Sequence, residues 1–358
     1  MNTNAPLTAY MFEAILASLA MTLVAGWLGM RIARKLGWMD IPGSQPHKQH
    51  RFPTPLAGGI TLMLALLVLI LASGLWRFSI TQRLALPTLV IFGFALWDDI
   101  KPLPAWAKFG GQLLGAALLI LMGVQIRILQ NPRFFGDSTG IGFRVLDWGL
   151  TLLWVVGVTN AFNLIDSMDG LTAGLSGWAF AFFMLATFDS QQRELSIFSA
   201  LMLGICLGLY YYNAPAARLF LGDSGAQTLG FLLSTVAILY TPLEKNQASS
   251  WFIPILLVAV PIFDTTLVTL SRLRRRLPFY KGNRDHTYHR LVSWGMHPNR
   301  AVLTLHIAAL ILECVAFIAV SLPPLAANLV FLACLLTGLI LIVLLDRRSR
   351  WPAESTDE

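Results

Sequence analysis

Apolar stretches of about 20 residues recur from one end of this chain to the other, and no other feature limits its fold as strongly. A helix of that length crosses the ~30 Å hydrocarbon layer of a bilayer. Eleven such runs stand out, near 8–30, 56–75, 84–97, 106–124, 148–162, 171–187, 195–212, 225–240, 251–270, 300–321 and 326–345. Only 13% of the 358 residues are charged and 56% are hydrophobic, whereas a soluble domain carries roughly a quarter charged residues. The mean hydropathy is +0.65. The ~10-residue alternating segments of a membrane β-barrel are missing from the sequence. The pattern predicts an all-α integral membrane protein with about eleven transmembrane helices. It forms a single domain over 1–345, followed by a short cytoplasmic tail over 346–358. The first run has no basic residue before it, so it is read as a span and not as a cleaved leader.

Basic residues orient the spans. The loops on the side reached after the first span hold 19 of the 26 Lys and Arg residues, among them Arg31, Arg34, Lys48, Lys101, Lys108, Arg272 to Arg276 and Arg290. The positive-inside bias puts that side in the cytoplasm, with the N-terminus outside and the C-terminus inside. The same alternation gathers the polar clusters "PHKQHRFPTPLAGG", "WDDIKPLP", "NLIDSMDG", "LFLGDSGA" and "GNRDHTYHR" on the cytoplasmic face. Chemically dense loops that converge on one face predict a single site. The longer external stretch 125–147 is expected to form a small hairpin. Cys206, Cys314 and Cys334 lie singly in apolar runs, with neither a CxxC motif nor a disulfide framework.

The residue types suggest the chemistry. Asp98 and Asp99 adjoin at the end of a span and would repel each other unless solvated or bridged by a divalent cation. Mg²⁺ takes one or two carboxylates plus waters and phosphates. Asp223 lies between Gly222 and Gly225, which permit close backbone approach; it serves either as a helix cap or in a site. Phe220 is a packing residue or a ring that stacks on a base. Asn160, Asn163, Asp166 and Asp169 step by three, which on one straight helix would spread them over half the circumference. A helix that ends near Asn163 and turns through "DSMDG" avoids placing them in lipid. His286 and His289, like His47 and His50 beside Lys48, have no zinc framework around them and read better as cationic, anion-facing surface. Lys, Arg and His for anions, with Asp for a metal, fit phosphoryl transfer, where positioning and charge neutralisation dominate. A bilayer setting makes one substrate a lipid. A transporter stays open as the rival, but it would place charges at mid-bilayer and on both faces of broken helices.

The motifs "HKQHRFPTPLAGG", "DDIKPLPAWAKFGGQ", "NAFNLIDSMDGLTAG", "FLGDSGA", "PIFDTTLVTLSR" and "RDHTYHRL", in this order, resemble those of the polyprenyl-phosphate N-acetylhexosamine-1-phosphate transferase superfamily, glycosyltransferase family 4, along nearly the whole chain. The resemblance implies transfer of a sugar 1-phosphate from a UDP-sugar to undecaprenyl phosphate with release of UMP, in a bacterial inner membrane. It implies Mg²⁺ as cofactor, with Mn²⁺ as substitute. The implied roles are an acidic pair in Asp98 and Asp99, a metal ligand in Asp223, and nucleotide-side groups in Asn163, Asp166 and Phe220. Asn160 and Asp169 match further motif positions, Asp169 grouped with the catalytic carboxylates. Lys48 and Lys108 match phosphate-side cations; His286, His289 and Arg290 match the last cytoplasmic loop, tied to sugar and phosphate recognition. The family pattern H-x-H-H-R has Tyr288 at its third position here, which leaves the sugar open. The final motifs resemble the GlcNAc branch more than the MurNAc-pentapeptide branch. Expected partners are the UDP-sugar, undecaprenyl phosphate and membrane lipid, with a homodimer as one option and no nucleic acid.

Overall fold

The structure, a computed structural model, describes residues 6–42, 52–130, 140–242, 247–277 and 285–348. Their helices are α1 (Leu7–Leu36), α2 (Gly58–Ser73), α3 (Ser79–Ile100), α4 (Ala105–Leu121), α5 (Ile141–Ile165), α6 (Leu171–Asp189), α7 (Arg193–Asn213) and α8 (Gly222–Leu239). The short α9 (Gln247–Ser250) and α10 (Ile253–Leu257) precede α11 (Ala259–Arg275), α12 (Thr287–Ser293), α13 (Pro298–Ala319) and α14 (Pro324–Arg348). Strands β1 (Met39–Asp40) and β2 (Thr54–Pro55) pair antiparallel beside the start of α2.

Each apolar run falls on one helix, or, for 251–270, on a pair bent by 70° between Leu257 and Ala259. Among the described residues seven helices are long and apolar enough to cross a membrane: α1, α3, α5, α6, α7, α13 and α14; the bent pair makes eight. The remaining helices miss that standard for physical reasons. α2 and α4 have 16 and 17 residues. α8 is the centre of the bundle, packed by α2, α3, α5, α6 and α7, with fourteen of its eighteen residues buried. A helix that faces protein on all sides need not dissolve in lipid, so α8 can hold Gln227, Thr228, Ser234 and Thr235. α14 is its opposite, with Leu325, Leu329, Leu332 and Ile340 outward.

Small residues set the closest helix contacts, as lipid-embedded packing favours. Gly204 and Gly208 on α7 meet Ser18 and Thr22 of α1, where an added methyl group would collide. Cys206 is buried in the same helix, while Cys314 is exposed and Cys334 partly so; all three are free thiols.

Residues 131–139, the middle of the expected external hairpin, lie outside the described residues; beyond them α5 begins at Ile141. Asp147, fully buried, accepts the N–H groups of Leu129 and Gln130 at 3.1 and 3.3 Å. Trp148 Nε1 donates to Gln125 at 2.7 Å. The segment before α5 is therefore strapped back onto that helix. α3 runs past its apolar stretch to Ile100 and carries both of its acidic residues in its last turn.

Candidate active site

The start of α2 and the start of α8 are joined backbone to backbone. Phe220 N donates to Pro55 O (3.0 Å), Gly58 N to Phe220 O (3.0 Å) and Gly59 N to Leu221 O (3.1 Å). A Cβ on Gly59 would run into Ser224, so only glycine permits the approach. "TPLAGG" and "LFLGDSG" thus form one structural unit. Phe220 lies in it half-buried, held by its backbone.

The two adjacent carboxylates divide between different partners. Neighbouring helix positions point about 100° apart. Asp99 turns to the first turn of α8, where it accepts Asp223 N at 2.7 Å, Ser224 N at 3.0 Å and Ser224 Oγ at 2.5 Å. It caps a helix 124 residues away in sequence and satisfies donors that a helix start leaves open. Gly222, at φ 68°, leaves room for that carboxylate; a side chain there would press on its oxygens. Asp98 is buried. It accepts Leu103 N at 2.6 Å and is paired with Lys108 of α4. Lys108 Nζ also lies 3.1 Å from Asp223 Oδ2. One ammonium is thus shared by carboxylates from α3 and α8.

A ladder of amides runs into the bundle from Asp223. Gln227 Nε2 reaches Asp223 at 3.5 Å, Gln112 Nε2 donates to Gln227 Oε1 at 3.0 Å, and Asn160 Nδ2 donates to Gln112 Oε1 at 2.6 Å. Asn160 also back-bonds to Val156 O at 2.9 Å. It therefore braces the acidic site through two glutamines that the sequence reading missed. Uncharged polar residues inside apolar helices are the signal that could have found Gln112, Gln227 and Ser224.

α5 ends at Ile165, and Asp166 to Gly170 form the turn into α6, with Gly170 at φ 74°. Asp169 Oδ2 accepts Ala217 N at 3.0 Å, and Asn213 Oδ1 accepts Gly170 N at 3.0 Å. Asn213 Nδ2 also donates to Leu219 O at 3.0 Å. These bonds fasten the acidic turn to the segment that leads into Phe220 and Asp223. Asn163, half-buried in the last turn of α5, accepts Asp166 N through its backbone carbonyl at 3.4 Å. Burial pushes the Asp166 carboxyl up to about 7; the Thr172 hydroxyl holds it back, and the charges of Asp99 and Asp169 add to the rise. Asp99, Asp166 and Asp223 therefore lie within one electrostatic neighbourhood.

The 285–290 segment is built on Asp264 of α11, which sequence reasoning did not select. One Asp264 oxygen lies 2.7 Å from His286 Nδ1 and the other accepts Thr287 N at 2.6 Å, capping α12. Asp285 pairs with Arg272 at 3.0 Å and Arg275 at 3.6 Å. Arg290 is 2% exposed. It donates Nε to Asp285 O at 2.8 Å and pairs with Asp346 of α14 at 3.2 Å. Arg290 and His286 thus hold the loop together inside the protein. His289 is the half-exposed member, with Nε2 2.8 Å from the Tyr288 hydroxyl. Tyr288 also donates to Ser167 in the acidic turn, which brings this loop to the carboxylates. Lys48, with His47 and His50, lies outside the described residues.

Among the described residues the arrangement is a cluster of carboxylates, two of which share the ammonium of Lys108. Among the described residues no three Asp, Glu, His or Cys side chains converge as a ready-made metal cage. Mg²⁺ does not need one: one or two carboxylates suffice when waters and substrate phosphates complete its shell. Asp223 fits that demand, since its side chain is 29% exposed and beside other hard oxygens. Both Asp99 oxygens are committed to α8.

Comparison with known proteins follows this geometry. The sequence profile of glycosyl transferase family 4 matches residues 81–241, the stretch from α3 to the end of α8 that holds every carboxylate of the cleft. A Bacillus subtilis protein named a probable undecaprenyl-phosphate N-acetylglucosaminyl 1-phosphate transferase is 30% identical over 306 residues, 85% of this chain and 84% of that protein. The decaprenyl-phosphate N-acetylglucosaminephosphotransferase of Mycobacterium leprae is 27% identical over 97% of this chain and 93% of its own length. A phospho-N-acetylmuramoyl-pentapeptide-transferase of Lactiplantibacillus plantarum is 32% identical, over 58% of this chain and 68% of that protein.

Proposed function

The chain belongs to glycosyl transferase family 4, and from that membership we propose that it transfers GlcNAc-1-phosphate from UDP-GlcNAc to undecaprenyl phosphate, releasing UMP. The observation behind this reading is the single ammonium of Lys108 held between Asp98 and Asp223. Two anionic phosphates brought together need a cation where they meet, and a lysine kept in place by carboxylates is pre-organised for it. The acceptor phosphate oxygen attacks the phosphorus attached to the sugar. A new P–O–P link forms, the bond to UMP breaks, and UMP leaves as an anion. Lys108 steadies the negative charge during the exchange. Asp98 keeps Lys108 protonated and oriented. Asp99 fixes the start of α8 and so the position of Asp223. Phe220, beside the start of α8, and Asn163, beside the acidic turn, would serve the uracil side of the donor. Mg²⁺, held by Asp223, would supply charge neutralisation for the donor pyrophosphate.

Eleven passes, an outside N-terminus, a cytoplasmic C-terminus and a bacterial inner-membrane address are part of the proposal, supported by the charge bias of the loops. The MurNAc-pentapeptide donor is the second reading, favoured by the partial match to that class of relative. The test supplies radiolabelled UDP-GlcNAc to purified protein with undecaprenyl phosphate and Mg²⁺. Label in the lipid extract with stoichiometric UMP is expected. Label that stays aqueous, or accumulates unmodified inside vesicles, overturns the transferase reading.

A further inference from the structure

The 285–290 segment is anchored on three sides, and one of its side chains reaches the turn between α5 and α6. Asp264 clamps its start, the two Arg–Asp285 pairs hold its base, and Arg290 ties it to α14. Tyr288 is fully buried. Its hydroxyl meets Ser167 Oγ, in the turn between Asp166 and Asp169, and His289 Nε2 at 2.8 Å. The ring lies 4.1 Å from the His289 ring and parallel to His286 at 6.0 Å. A phenol this deeply buried must hydrogen-bond. Its partners belong to different walls: Ser167 to the turn that bears the carboxylates, His289 to the loop facing it.

We infer that Tyr288 is a positioning and specificity-determining residue, whose hydroxyl bridge to Ser167 sets the gap between the acidic turn and His289 and so selects the hexosamine of the nucleotide donor. The inference rests on the donor reading above. Other bonds hold each wall separately: Asp169 to Ala217 and Asn213 to Gly170 on one side, Asp264 on the other. Loss of the phenolic oxygen therefore leaves both walls folded and changes only their spacing.

The test uses the full chain in detergent with Tyr288→Phe, Ser167→Ala and the double variant. Each is assayed with UDP-GlcNAc and UDP-GalNAc, and hydrogen exchange is followed over 166–171. Tyr288→Phe is expected to lower kcat/KM for UDP-GlcNAc by about fivefold, with KM for undecaprenyl phosphate unchanged. The ratio of kcat/KM between the two donors should move toward one. Ser167→Ala should match it, and the double variant should be no worse than either single, because both remove the same bridge. Exchange over 166–171 should quicken in all three. A purely structural role would lower the melting temperature but leave the donor ratio alone, and that result overturns the inference. So does unaltered exchange over 166–171, or additive losses in the double variant. If the unmutated protein turns over no UDP-sugar, the donor reading fails by itself, and quickened or unchanged exchange still decides whether the bridge exists.

Discussion

Replacing Asp99 separates a structural carboxylate from a chemical one. Its oxygens accept two backbone amides, Asp223 N and Ser224 N, and the Ser224 hydroxyl. In Asp99→Ala the hydroxyl can turn elsewhere, but both amides lose their acceptor. An unpaired amide away from water costs roughly 1–3 kcal/mol, so the two together cost on the order of 4 kcal/mol. At about 2 °C per kcal/mol the melting temperature should fall on the order of 8 °C. Asp99→Asn keeps one acceptor oxygen and should fall about half as far. Asp223→Asn is the control. Its side chain is partly exposed and its Lys108 contact is polar and near the surface, so stability should change by less than about 1 kcal/mol while turnover is lost. The assay is thermal unfolding of each purified variant alongside transfer of label to lipid. A stable but inactive Asp99→Ala, melting with the unmutated protein, would refute the capping argument and return Asp99 to the chemistry.

Further outcomes can be read in the same preparation. Lys108→Met should lower kcat by at least about a hundredfold with the fold intact, and Lys108→Arg should recover part of it; wild-type turnover in the Met variant removes Lys108 from the mechanism. Asp166, at about 7 in the folded protein, binds its proton more tightly than an unfolded aspartate near 3.9. With EDTA present, its contribution to stability is therefore full below about pH 4 and is lost as pH rises through about 7. Asp166→Asn should flatten that decline in melting temperature, and an unchanged profile contradicts the shift. Gly59→Val places carbon where Ser224 lies and should lower both stability and activity, as differential scanning fluorimetry and turnover would record.

The sequence showed the helices clearly because most of them face lipid, and lipid demands uniform apolarity. It showed α8 less clearly, since a helix enclosed by protein can be polar: "GDSGAQTLG" reads as a loop entering a weak span, yet it is the first half of the central helix. The single-face convergence of Asp98, Asp99, Asp166 and Asp223 was legible from loop alternation alone. Their division of labour was not. "DD" reads as a repelling pair, and only the packing of α3 on α8 gives one member Lys108 and the other a helix start. Asp264 was hidden inside an apolar run, and its importance depends on a loop 22 residues further on. Arg290 lay in a cationic motif, but its burial against Asp346 required the last helix to fold back across the loop.

The bond from Asp99 to the amides of Asp223 and Ser224 makes two distant stretches of polypeptide move as one body. Lys108, which grips the neighbouring Asp98, is joined to the same body. On the proposed reading, an acceptor phosphate drawn to that lysine would bear on the carboxylate of Asp223 through contacts that are already made, so the two substrates would be expected to influence each other's binding.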